Sequence, residues 1–493
     1  MVPDVPLKWC VLCVNVLCVM ALAFNTTAMM NALPSLQQDL DLSPIAARWA
    51  INSYILAGAA TVLLAGSLGD LLGHFRMQLL GVLFFGVTSL GIAFCHTGGE
   101  LLLLRSAQGM AAAIISALAL SSMSYVFPLS QRSFALSIWG GMVGLGFGLG
   151  PLLGGILVTY LGWRSIFLGM TGVMALGVVG NIIFMWRYPH RAQKLRLDVL
   201  GLIFFVGWVV LFVTLVMEGS RLSPMTWMIA GIGATVLFLF FVERMRRSPE
   251  PFMDLTLLQR PALLGSTLIF FVTIFSLILF LNFYNRFLQW PLLYGATPWQ
   301  AGLWMLPLNV AMFSTALGAP YFKRLLGDSC LLTIGMLLLS IGFGTLALFP
   351  HLPIGFSQTA ILILLGGGFG WTFPLAPQVG LHALPLALQG KGSGILNTAN
   401  YLAGSLAISV GALVYVRASQ CLLPDCDTAM RDLALLGAHR EVLSVPLNPE
   451  ALKLAACRSF SMLMFLAATV CLGGLVTCRL FIKTKIDCIS KTE

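Results

Sequence analysis

Apolar residues in this chain gather in runs far longer than the alternation of a strand or the single face of a surface helix would produce. Runs at about 9–30, 48–68, 77–95, 100–126, 135–160, 165–186, 199–217, 226–242, 262–288, 299–322, 330–350, 354–377, 393–416 and 459–482 are separated by short polar segments, except for the long one before the last. Each reaches or approaches the roughly 20 residues a helix needs to cross the hydrocarbon core of a bilayer. The pattern therefore predicts fourteen transmembrane helices in an all-α polytopic membrane protein. The first run is long for a signal peptide, has no convincing small-residue cleavage site and continues into the polar turn "NALP", so it reads as a retained span.

Composition excludes a soluble fold: 58% of residues are hydrophobic, 9% are charged and the mean hydropathy is +0.93. In such a chain the net charge of +10 belongs to cytoplasmic loops rather than to a nucleic-acid surface. Of the 28 Lys and Arg, 18 fall on the side that holds the N-terminus, 4 in the short loops opposite and 5 in the long loop 417–458, where 5 acids balance them. The positive-inside rule then puts both termini in the cytoplasm of a plasma membrane, the inner membrane if the cell is bacterial. All 18 carboxylates fall in loops, tails or span ends. With no paired acids, activated nucleophile or metal-ligand spacing, neither catalysis, a metal nor a cofactor is expected. Cys421 and Cys426 of "CLLPDC" form a short disulfide or stay as two thiols; the sequence leaves both open.

The remaining basic residue, Arg105, sits inside "LLLLRSAQGMAAAII". It has two readings. Five residues from Glu100, or about 7.5 Å along a helix, it can snorkel to the outer surface. Alternatively it faces a cavity with Gln108 one turn on, where a charge of such cost serves function.

Glycine marks further positions. "GSLGDLLGHFRMQLLG" offers Gly66, Gly69 and Gly73 for close approach of two helix ends, with Asp70 as acceptor and Arg76 as cation. In "GGMVGLGFGLGPLLGG" the pairs Gly144 with Gly148 and Gly150 with Gly154 are spaced as small-xxx-small beside Pro151 and Gly155. "GHFRMQLLGVLFFGVTSLGIA" and "GDSCLLTIGMLLLSIGFGTLA" begin at Gly73 and Gly327, and Gly81 pairs with Gly335 at the same offset of 254.

Together these stretches resemble the major facilitator superfamily, specifically its fourteen-span drug:proton antiporter branch. The first loop is similar to the cytoplasmic gating motif, with Leu71 and His74 where the family is usually basic. "LRSAQGMAAA" resembles the fourth-span motif through Arg105, Gln108 and Gly109, and "GLGPLLGG" the fifth-span antiporter motif. "FLQWPLLYGATPWQAGLWMLP" and "GSGILNTANYLAGSL" match later spans. The resemblance implies two six-helix halves, residues 1–190 and 251–493, with two central helices inserted at 191–250. It also implies a cavity between the halves and transport by rocking one against the other.

Asn25 of "LAFNTTAMMNALP" departs from that pattern, standing where related exporters typically carry Asp; Asn400 stands where relatives often have Arg. The expected substrate and coupling set is Asn25, Asn31, Tyr54, Arg105, Gln108, Asn397 and Asn400. The resemblance implies a monomeric exporter of amphipathic small molecules, in contact with lipid and proton-driven, with periplasmic adaptors as partners if bacterial. Loss of the first-span acid puts the proton coupling in question and favours neutral or anionic cargo. The alternatives are an exporter dedicated to one metabolite, such as a siderophore or organic anion, and a transport-dead receptor or scaffold.

Overall fold

The computed structural model describes residues 5–187, 198–218, 223–248, 253–351, 353–385, 388–422 and 449–482. Cys426 and the Cys421 side chain lie outside that description, as do most of the long loop and the Asp70 side chain. The long elements are α1 (Val5–Asp39), α2 (Pro44–Leu72), α3 (His74–Ala93), α4 (Gly98–Val126), α5 (Leu129–Leu161), α6 (Arg164–Arg187), α7 (Val199–Glu218), α8 (Pro224–Arg247) and α9 (Pro261–Gln289). They continue as α10 (Pro298–Trp304), α11 (Leu306–Leu326), α12 (Asp328–Leu348), α13 (Phe356–His382), α14 (Gln389–Leu422) and α15 (Pro449–Thr477), the last running into a π turn, Cys478–Ile482.

Among the described residues, eleven helices are long and apolar enough to cross a membrane, and α10 with α11 makes a twelfth span bent by 45°. The shorter apolar α7 and the long α2 occupy the remaining two of the expected runs. The bend divides the single run expected at 299–322. Pro307, in the first turn of α11, has no N–H to donate and crowds the preceding turn. Large apolar side chains such as Met225, Ile229, Leu239 and Phe240 of α8 stand exposed around the bundle, which is stable only with lipid as the surrounding solvent.

Two turns repeat each other. Gly73 between α2 and α3 and Gly327 between α11 and α12 both adopt positive φ, 102° and 78°. Each donates its N–H over 2.9 Å, to Gly69 O and Lys323 O respectively, residues again 254 apart. Eight residues later, a Cβ on Gly81 would lie 2.7 Å from Ile114 of α4, and one on Gly335 would lie 2.6 Å from Thr372 of α13. The repeated segments thus share backbone geometry as well as residue pattern.

The ends of the bundle are named here by Asp39 and Arg76. At the Asp39 end, Ser43 caps α2 by accepting from Ala46 N, and Thr97 with Glu100 forms a capping box at the start of α4. Asp39 accepts hydrogen bonds from Trp163 Nε1 (3.0 Å) and Arg164, tying the end of α1 to the start of α6. The helix pair α7–α8 is joined by the buried Asp198, which accepts from Arg244 Nε at 2.9 Å, and by Phe205 against Phe241.

Candidate functional site

A central cavity lies where α1, α2, α4 and α5 meet α9, α13 and α14. Its empty volume is about 870 Å³, counting the space open at its mouth. Aromatic rings dominate the wall: Tyr54, Trp139 and Phe147 from one side, Phe270, Phe373 and Tyr401 from the other. Phe373 meets Phe147 and Phe270 edge-on at centroid distances of 6.2 and 5.7 Å, so rings from both sides interlock across it. Thr26, Ser116, Asn397 and Asn400 supply the polar edges, and among the described residues no charged side chain lines the space.

Arg105 does not snorkel. It is 0% exposed, its Nε donates to Ala50 O at 3.0 Å, and its Nη1 donates to Gln108 Oε1 at 2.6 Å. The guanidinium carbon stands 4.4 Å from the centroid of Tyr54, which places the charge on the far side of a ring that lines the cavity. Gln108 in turn donates to Ser89 Oγ at 2.7 Å, fixing its amide. Gly109 makes this approach possible, since a Cβ there would collide with the Tyr54 carbonyl. Surface snorkelling was a local estimate along one helix; α2 supplies both the carbonyl and the ring that hold the side chain inside.

Asn25 joins the same cluster. Its Nδ2 points to Gln108 Oε1 at 3.5 Å, its Oδ1 is buried without a partner among the described residues, and the Tyr54 hydroxyl faces Asn25 and Thr26. It stands behind the wall rather than in it. Asn31 is farther away still, at the closed Asp39 end. There it donates to Pro151 O at 2.7 Å and accepts from Asn285 and from Gln289 (3.4 Å) of α9, while Gln289 also donates to Asn285 Oδ1 at 3.0 Å. Of the seven expected residues, Tyr54, Asn397 and Asn400 line the cavity; Arg105, Gln108 and Asn25 form a cluster behind it; Asn31 belongs to the closure.

The fifth-span glycines serve that closure. A Cβ on Gly150 would strike Thr27, and one on Gly154 would lie 2.7 Å from Ala28, so α5 is pressed onto α1. Gly144, Gly148 and Gly155 face Met312, Asn309 and Pro298 in α11 and α10, and Asn309 donates to Gly148 O at 2.9 Å. Asn52 of α2 completes the contact, accepting from Ser405 and donating to Ser409 of α14. At the Arg76 end, Gly69 lets Leu118 of α4 approach and Gly73 makes the turn, whereas a Cβ on Gly66 would meet nothing within 4 Å. The close approach expected at Gly66 is therefore absent; Arg76 is exposed.

The sequence reading missed Ser89, Asn285, Gln289 and Trp139. The first three look like ordinary polar residues in spans, and Trp139 looks like core.

The family model described as "Major Facilitator Superfamily" matches residues 16–408. The chain belongs to the Major Facilitator Superfamily. Among this superfamily's curated members it is 30% identical over 418 residues to the tetracenomycin C resistance and export protein of Streptomyces glaucescens, covering 83% of this chain and 76% of that one. It is 28% identical over 407 residues to the multidrug efflux pump LfrA of Mycolicibacterium smegmatis, with 79% and 77% covered. It is 29% identical over 419 residues to the methyl viologen resistance protein SmvA of Salmonella typhimurium, with 83% of each chain covered. The superfamily fold is matched by the proton:xylose symporter XylE, at a TM-score of 0.59 and 14% identity over 94% of both chains.

Proposed function

We propose that this protein exports amphipathic, drug-like small molecules across the plasma membrane by alternating access, with residues 1–190 rocking against 251–493 around the central cavity and the 191–250 pair riding between them. The observation that carries this reading is the aromatic cavity between the two halves, closed at the Asp39 end by glycine-permitted helix contacts. The three relatives, of which this chain covers over three quarters, are named for export, efflux or resistance, which supports the same direction of transport. Proton drive is part of the proposal. The buried Arg105–Gln108–Asn25 cluster contains no carboxylate, so a proton carried by this chain binds elsewhere, with Asp70 the acid of the gating motif.

The test is flux through the purified protein in liposomes with an imposed pH gradient. Gradient-dependent movement of a lipophilic probe supports export with proton drive; movement indifferent to the gradient removes the drive, and no movement of any probe removes the transporter reading. A reporter fused after Glu493 is expected in the cytoplasm, and an external signal would overturn the orientation and with it the fourteen-span count.

A further inference from the structure

A residue of the central cavity carries a buried donor that no described residue uses. Trp139 lines the space and is 9% exposed, yet its indole Nε1 is buried with no hydrogen-bond partner among the described residues. An indole N–H can only donate, and a buried donor without an acceptor is costly enough that such groups are rare in folded proteins. Several other polar groups on the wall pair within the protein rather than with this indole. Tyr401 Oη and Ser116 Oγ pair at 3.2 Å, Thr26 Oγ1 donates to Leu22 O at 3.0 Å, and Asn397 donates to Ser393 O at 3.0 Å.

The charge of the missing acceptor follows from the wall. A cation finds no carboxylate among the described lining residues, and the Tyr54 ring that could receive it already carries the Arg105 guanidinium, 4.4 Å away. An anion finds no exposed positive group among the described lining residues, because Arg105 is fully buried behind that ring, where it donates to Ala50 O and Gln108. Either ion would shed its hydration without replacement. An uncharged molecule meets no such cost, and the six rings offer it flat apolar surface.

We propose that the cavity selects uncharged aromatic molecules bearing an oxygen acceptor, and that the Trp139 N–H is the group that recognises that oxygen. This inference rests on the export reading of the same cavity and names its substrate class. Asn400, which lines the cavity and forms no hydrogen bond with a described residue, stands as a second polar contact for such a ligand.

The experiment compares two uncharged probes of nearly equal shape, 2-acetylnaphthalene and 2-ethylnaphthalene, with the cation tetraphenylphosphonium, by equilibrium binding to the full-length protein and to Trp139→Phe. The ketone is expected to bind the wild type about tenfold tighter than the hydrocarbon, the scale of one hydrogen bond in a dry site. In Trp139→Phe that preference should vanish while the hydrocarbon still binds, which shows the variant to be folded. Tetraphenylphosphonium should fail to displace the ketone. Equal binding of the two neutral probes by the wild type overturns the proposal without recourse to any variant, as does displacement of the ketone by the cation. Liposome flux separates the two ideas: a ketone that binds selectively but is not carried leaves the recognition intact and sinks export, whereas gradient-driven flux without a ketone preference does the reverse.

Discussion

Arg105→Met will lower gradient-driven flux at least about tenfold while leaving insertion and folding nearly unchanged. The guanidinium holds three partners in one place: the Ala50 carbonyl, the Gln108 amide and the face of Tyr54. Without it, the Ala50 carbonyl inside α2 and Gln108 Oε1, which keeps Asn25 Nδ2 at 3.5 Å, each lose a charged donor, at about 1.5–3 kcal/mol per bond. Against that loss, removing a buried charge relieves a desolvation penalty that is often of the same size. The two effects offset one another in stability. They do not offset in function, because Tyr54 is a wall of the cavity and loses the support behind it. Arg105→Lys should also fail, since a single ammonium lacks the planar fork that spans the two acceptors while lying flat on the ring. Flux is read in liposomes at matched protein content, with thermal unfolding alongside. Wild-type flux from the methionine variant would return Arg105 to a structural role.

The second large effect is expected at Gly150. A leucine there must displace Thr27 of α1, and the Ala28 backbone nitrogen lies only 3.0 Å from where its Cβ would be. Backbone cannot yield as a side chain does, so the cost reaches or exceeds the roughly 1–3 kcal/mol of an overpacked core. Gly150→Leu should give little folded protein, and what folds should not transport. Gly169→Leu is the matched control, because a Cβ at Gly169 meets nothing within 4 Å. Size-exclusion profiles and flux of the two variants decide the matter; similar behaviour of both would show that the α1–α5 contact is looser than its geometry.

The membrane class, the span positions and the repeat were legible in the sequence because each depends on local pattern. Gly73 and Gly327 are the clearest case: two glycines 254 residues apart in similar surroundings mark two turns with the same positive φ and the same closing hydrogen bond. The Arg105–Gln108 pair was legible too, as neighbours three residues apart on one helix. What the sequence hid came from other helices. Nothing near Arg105 in the chain announces Ala50 O or Tyr54, so a local distance to the helix end suggested snorkelling. Asn31 and Asn25 looked alike as first-span amides, yet six residues of helix place one in the closure and the other behind the cavity. The break between α10 and α11 was signalled by Pro307 but masked by the unbroken apolar run around it.

The contact of Asn31 with Asn285 and Gln289 is built from uncharged amides. Parting those groups moves no net charge through the membrane field, whereas each elementary charge carried across it would couple to about 2.3 kcal/mol per 100 mV. This latch is therefore blind to voltage. Its bonds can be exchanged one for one with water as the Asp39 end opens, so opening this contact draws no work from the membrane potential.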